Sequence, residues 1–103
     1  MNMTEEGEDL EQSPSNAKKV YVWKLASFLA RNGMIMSGDE LTDHLNRNGI
    51  LTEYGTAYSG GRGVFTLIRV TWHWLHDDLQ LGKEAEYVAV AFVNQDGEHA
   101  YKV

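Results

Sequence analysis

Apolar positions along the chain fall into three helical stripes followed by one tract with strand character. In the first stripe Val20, Trp23, Leu25, Phe28 and Leu29 recur near helical spacing, with Lys24, Ser27 and Arg31 between them. This predicts a helix over residues 18–32, stopped at Asn32-Gly33, where Gly33 is free to take a positive φ. Met34-Ile35-Met36 then reads as a short extended piece. Ser37-Gly38-Asp39-Glu40 fits a capping box, with acids at the positive end of the helix dipole. Leu41 and Leu45 share a face behind it, and Asn48-Gly49 closes a second, short helix.

The third stripe is the longest. Phe65, Ile68, Trp72, Leu75 and Leu79 step by three, four, three and four residues. Val64, Leu67 and Trp74 broaden the stripe, and Thr66, Arg69, His73, Asp77 and Gln80 lie opposite. Its β-branched and aromatic content also suits a strand, but the length of the period favours a helix over residues 64–79, with Gly82 as its stop. The connection before it, Ile50–Gly63, places Gly55, Gly60, Gly61 and Gly63 around Tyr54 and Tyr58. Loops of that length without structure are uncommon in small domains and are usually functional or disordered; the tyrosines argue against disorder. Tyr87–Val93 reads as a strand, Asn94-Gln95-Asp96-Gly97 as a tight turn, and Glu98–Val103 as the returning strand of a β-hairpin.

This order of elements resembles the winged helix-turn-helix family over residues 18–103. The resemblance implies an α+β fold, winged helix-like, of three helices followed by a C-terminal β-hairpin. It implies that the third helix enters the DNA major groove and that the hairpin, the wing, touches the backbone or minor groove. Two features depart from the pattern. The connection between the second and third helices exceeds the usual turn of three to four residues. Asp96 and Glu98 at the wing turn repel phosphate, which shifts any wing contact toward Lys102.

Composition then narrows the function. The 103 residues suit one domain, and 43% hydrophobic content suffices for one small core. With no cysteine, the chain forms no disulfide, thiolate nucleophile, Fe–S cluster or cysteine zinc site. The longest apolar run, Val88–Val93, is far short of the about 20 residues of a membrane helix. No secretory signal is recognisable, and the expected location is the cytoplasm. The formal charge of −6 is unevenly spread. Residues 1–17 hold Glu5, Glu6, Glu8, Asp9 and Glu11 with no basic residue, leaving −6 − (−5) = −1 for the rest. That segment has too few apolar residues to offset its ordering entropy and is expected to be a disordered acidic tail. The near-neutral body lacks the basic excess that drives nonspecific DNA affinity.

The candidate residues each carry two readings. Arg62, Thr66, Arg69 and His73 share one helical face, the arrangement of a recognition stripe or of an ordinary solvated face. Lys18, Lys19 and Lys102 are available to phosphates. Ser59-Gly60-Gly61-Arg62-Gly63 leads into a helix N-terminus, which suits an anion or simply a sharp turn; without a Lys-Ser/Thr element it is no P-loop. Tyr58, like Tyr54, stacks on bases or anchors its loop to the body. His73, His76 and Asp77 have a His-x-x-His spacing but lack a wider metal signature, so no metal is expected. Trp72 and Trp74 are two apart and cannot face the same way, which puts Trp74 at the edge as an interface anchor or as a cover for the hairpin. The leading expectation is a small double-stranded-DNA-binding regulator, neither an enzyme nor a cofactor protein. The alternative is a winged-helix-like module for protein contact or homodimerisation.

Overall fold

A computed structural model of the chain describes residues 14–59, 61–94 and 96–99. Helix α1 spans Pro14–Arg31. It opens ahead of the expected start because Pro14 suits a first helical turn, where its missing N–H costs no hydrogen bond. Residues 14–17, read as tail, therefore belong to the helix, while residues 1–13 lie outside the described residues. Val22, Ala26 and Leu29 form its innermost line. Phe28, expected on the inner stripe, is 58% exposed because that line of small residues, not the aromatic flank, faces the core.

Helix α2 spans Gly38–Arg47 and begins with the expected capping box. Ser37 Oγ accepts the Glu40 N–H at 3.1 Å, and Glu40 Oε1 accepts the Ser37 N–H at 3.0 Å. Both α1 and α2 stop on Asn-Gly by the same bonds. Met34 N–H reaches the Leu29 carbonyl at 2.8 Å and Ile50 N–H the Leu45 carbonyl at 3.0 Å, each around a glycine at φ near +65° or +70°. This is the Schellman arrangement that satisfies the last carbonyls.

Helix α3 spans Gly61–His73 and continues as one π-helical turn, Trp74–Asp78, in which Leu79 N–H bonds the Trp74 carbonyl at 2.9 Å. Gln80 then takes φ +56°, the left-handed role expected of Gly82. Gly82 instead opens helix α4, Gly82–Ala91. Tyr87–Ala91 is therefore helical, not the first arm of a hairpin. Ala85, Val88 and Ala89 are buried at helical spacing, and an all-apolar run has no alternation to hold it in a strand. Trp23 Nε1–H donates to Glu84 Oε1 at 2.8 Å, tying α1 to α4, its principal packing partner.

The sheet is two short strands, β1 (Met36–Ser37) and β2 (Phe92–Val93). They pair in parallel, with Met36 opposite Phe92 and Ser37 opposite Val93. The expected turn is present: Asn94 N–H bonds the Glu98 carbonyl at 2.8 Å, and Asn94 Oδ1 accepts from Asp96 and Glu98 N–H. One antiparallel bridge, Val93 to His99, follows it. The rest of the expected return strand lies outside the described residues. Among the described residues the result is a compact α+β domain of four helices and a two-stranded parallel sheet.

Trp72 and Trp74 are both buried, each 6% exposed, in a helix on which α1, α2 and α4 all pack. Trp74 sits edge-on to Trp23 at 6.1 Å between centroids. It is a core residue rather than an interface anchor. Trp74→Ala is expected to cost about 3–5 kcal/mol of stability, the usual range for a buried aromatic. Equilibrium urea unfolding checks this, and a loss below about 1 kcal/mol, the range of surface positions, would return Trp74 to the edge.

Candidate nucleic-acid interface

One side of α3 faces away from the core. Val64, Ile68, Thr71 and Leu75 are fully buried, whereas Thr66, Arg69 and His73 are exposed. Thr71 is satisfied there by its own helix, its hydroxyl donating to the Leu67 carbonyl at 2.7 Å. Arg62 lies in the first turn of α3, but its side chain is outside the described residues, as is all of Lys102.

Thr66 forms one wall of an open groove of 1070 Å³. Lys18 and Lys19 of α1 form another wall, and Leu51, Tyr54 and Val70 give the groove an exposed apolar rim. Four of the residues singled out from sequence, Lys18, Lys19, Tyr58 and Thr66, thus meet at one place. Arg69 and His73 do not line the groove but continue the Thr66 stripe along α3. Neither lysine is a loose surface chain. Lys18 Nζ lies 5.9 Å from the Tyr58 ring centre and Lys19 Nζ 5.7 Å from that of Trp74, so aromatic faces hold both charges at the groove wall.

The loop wall is fixed by a residue that sequence reasoning missed. The Asn46 side chain on α2 accepts the Tyr58 N–H and donates to the Tyr58 carbonyl, both at 2.9 Å. Tyr58 is 8% exposed, so it anchors the loop and offers no face to a base. Gly63 completes the fit, since a Cβ there would stand 3.3 Å from Tyr58 Cδ1. This glycine permits close packing of loop on helix, the geometric reading of the glycine-rich run. At the loop tip Thr52 and Thr56 close a turn through 2.8 Å backbone and hydroxyl bonds, presenting Tyr54 at 89% exposure. The signal for Asn46 was an asparagine inside a helix, a position where it is a weak helix former and more useful as a donor–acceptor.

Charge supplies a second missed signal. From Tyr54 through His76 the chain contains no Asp or Glu, although it has 15 such residues in all. The segment from Tyr54 through the whole of α3 thus carries Arg62 and Arg69 with no acid of its own. Glu53 borders it, and with burial it raises the Tyr58 hydroxyl above its ordinary value, burial being the larger cause.

At the far end of the stripe Asp77 accepts from Nδ1 of both His76 and His73 at 2.8 Å. Trp72 stacks on the His76 ring at 4.3 Å and 12°. The histidines are thus held by a carboxylate and an indole, and among the described residues no group of three or more metal-ligating side chains is gathered. No known family model, curated protein or solved structure matches the chain.

The bonds from His76, and next from His73, hold the Asp77 carboxyl below its ordinary value. A lowered folded-state value means that Asp77 stabilises the fold above the unfolded aspartate value of about 3.9, and that this contribution is lost as pH falls through the folded-state value. Carbon-detected NMR of the side-chain carboxyl should place the Asp77 midpoint below that of an ordinary aspartate. His76→Ala should move it upward, and an ordinary midpoint in the unaltered chain would contradict the geometry.

Proposed function

We propose that the chain is a small DNA-binding regulator in which α3 lies in the major groove, a winged-helix-type module acting in the cytoplasm. The observation that carries this reading is the exposed Thr66–Arg69–His73 stripe on an acid-free helix, continuous at Thr66 with a groove walled by Lys18 and Lys19. The 13 residues of α3 extend about 20 Å, and a helix with side chains matches the roughly 12 Å width of the major groove. In this arrangement Arg69 reads a guanine edge through its two-pronged donor fork, Thr66 meets a base edge or a thymine methyl, and Arg62 approaches from the first turn. Lys18 and Lys19 neutralise phosphates and set the register on the duplex. The Asn94–Gly97 turn takes the position of the wing, with Lys102 as its cation.

A second reading, a protein-interaction or homodimerisation module, is favoured by the exposed apolar rim of Leu51, Tyr54 and Val70. Apolar side chains exposed together suit a protein face better than a phosphate backbone.

Fluorescence anisotropy with random and selected duplexes at two salt concentrations separates the two. Arg69→Ala should lose about 1–3 kcal/mol of specific affinity and relax preference at one base pair. Lys19→Met removes the charge near Trp74 while keeping a long unbranched side chain, so it should weaken binding evenly across sequences and lower the salt slope by about one unit. Failure of both the full chain and the chain with its five N-terminal acids neutralised to bind any duplex more tightly than about millimolar, weaker than ordinary nonspecific binding, would end the DNA reading. A concentration-dependent dimer in light scattering, disrupted by Tyr54→Ser, would then support the second.

A further inference from the structure

The groove beside α3 combines features that a bare DNA face does not require. It is walled by two lysines already held in place, rimmed by exposed Leu51, Tyr54 and Val70, and lies beside the first turns of α1. The described chain begins at Pro14, and the 13 residues before it contain five acids, no base, and one large aliphatic residue, Leu10. From Pro14, Lys18 and Lys19 lie about 6–8 Å along the helix at 1.5 Å per residue. Leu10 is four residues before Pro14, and at about 3.3 Å per residue an extended chain of that length reaches about 13 Å. The segment is therefore long enough to fold back past both lysines.

We propose that the acidic N-terminal segment, residues 1–13, occupies this groove in its own molecule, with Leu10 on the Leu51–Tyr54–Val70 rim and the flanking acids beside Lys18 and Lys19. Charge complementarity fixes this occupant. The groove presents two lysines against one carboxylate, Glu53, and the segment brings a charge of −5. Tethering gives the segment a high effective concentration there without any need for strong intrinsic affinity. The docking does not depend on the DNA reading; its consequence does. Where α3 binds a duplex, the docked segment covers the two phosphate-binding lysines and acts as a built-in competitor that a polyanion must displace.

The absence of cysteine permits a clean test on the full chain. Asn2→Cys carries a single nitroxide, and amide NMR reads which residues it broadens. Docking predicts broadening over residues 51–58 and 63–70 and none over α4. Mixing nitroxide-bearing unlabelled chain with isotope-labelled chain lacking the nitroxide should give no broadening. Neutralising the segment alone (Glu5→Gln, Glu6→Gln, Glu8→Gln, Asp9→Asn, Glu11→Gln) leaves the packed body untouched and should abolish most of the effect, as should Leu10→Ser. Broadening confined to the first turns of α1 would overturn the proposal. So would broadening in the mixed sample, which would assign the groove to the segment of a second copy. With duplex DNA at low salt, the neutralised chain should bind about tenfold more tightly. Selective intramolecular broadening without any duplex binding would uphold the docking and reject the DNA reading.

Discussion

Helices α1, α2 and α4 all pack on helix α3, and that packing decides most of what the molecule can do. Its apolar stripe is wide because α1, α2 and α4 all pack on it, so Val64, Ile68, Trp72 and Leu75 are sequestered on more than one side. Trp72 and Trp74 point in different directions and are nevertheless both buried. At about 25 cal/mol per Å² and roughly 200 Å² apiece, each indole contributes about 5 kcal/mol to holding this arrangement. What remains exposed on α3 is a face through Gly63, Thr66, Arg69, Val70 and His73. Any contact the helix makes with a partner has to pass through that face.

The groove follows from the same packing. A long loop beside a helix stays open unless something holds it, and here Asn46 does so by bonding both polar backbone groups of Tyr58. Tyr58 can then seat against Gly63, and Lys18 settles over its ring. One asparagine on α2 thus couples the loop, α3 and α1 into a single wall. Because the loop contributes one acid, Glu53, and α3 none, the lysines of α1 and the arginines of α3 outnumber the carboxylates here on a chain whose total is strongly negative. Net charge is therefore a poor guide to this surface, and its division between the N-terminal segment and the body is the informative quantity.

Local chemistry was legible in the sequence, and long-range pairing was not. The capping box at Ser37 and Glu40 and the Asn-Gly stops of α1 and α2 involve residues within a few positions of one another, so their signatures survive in one dimension. The C-terminal region is different. Tyr87–Val93 is apolar on every face, which suits a strand or a buried helix equally. What decides is the fit of Ala85, Val88 and Ala89 into the core beside α1, a contact distant in sequence. The pairing of Met36 with Phe92 has no local signal at all. Trp74 was misplaced for a related reason: a two-residue offset puts a side chain on the outside of a helix only when one face of that helix is covered. Of the candidate site, the α3 stripe and the two lysines were readable from spacing and charge, whereas Asn46, Leu51 and Val70 join it only through the fold.

On the proposed reading, DNA meets the exposed face of α3 together with the lysine wall of α1. Amide chemical-shift mapping during titration with a short duplex tests it most directly. Shifts are then expected to concentrate at Lys18, Lys19, Gly63, Thr66, Arg69 and His73, leaving the amides of α4 and of the Asn32–Ile35 turn unmoved. Shifts centred on α4, or no shifts at a saturating duplex concentration, would contradict it.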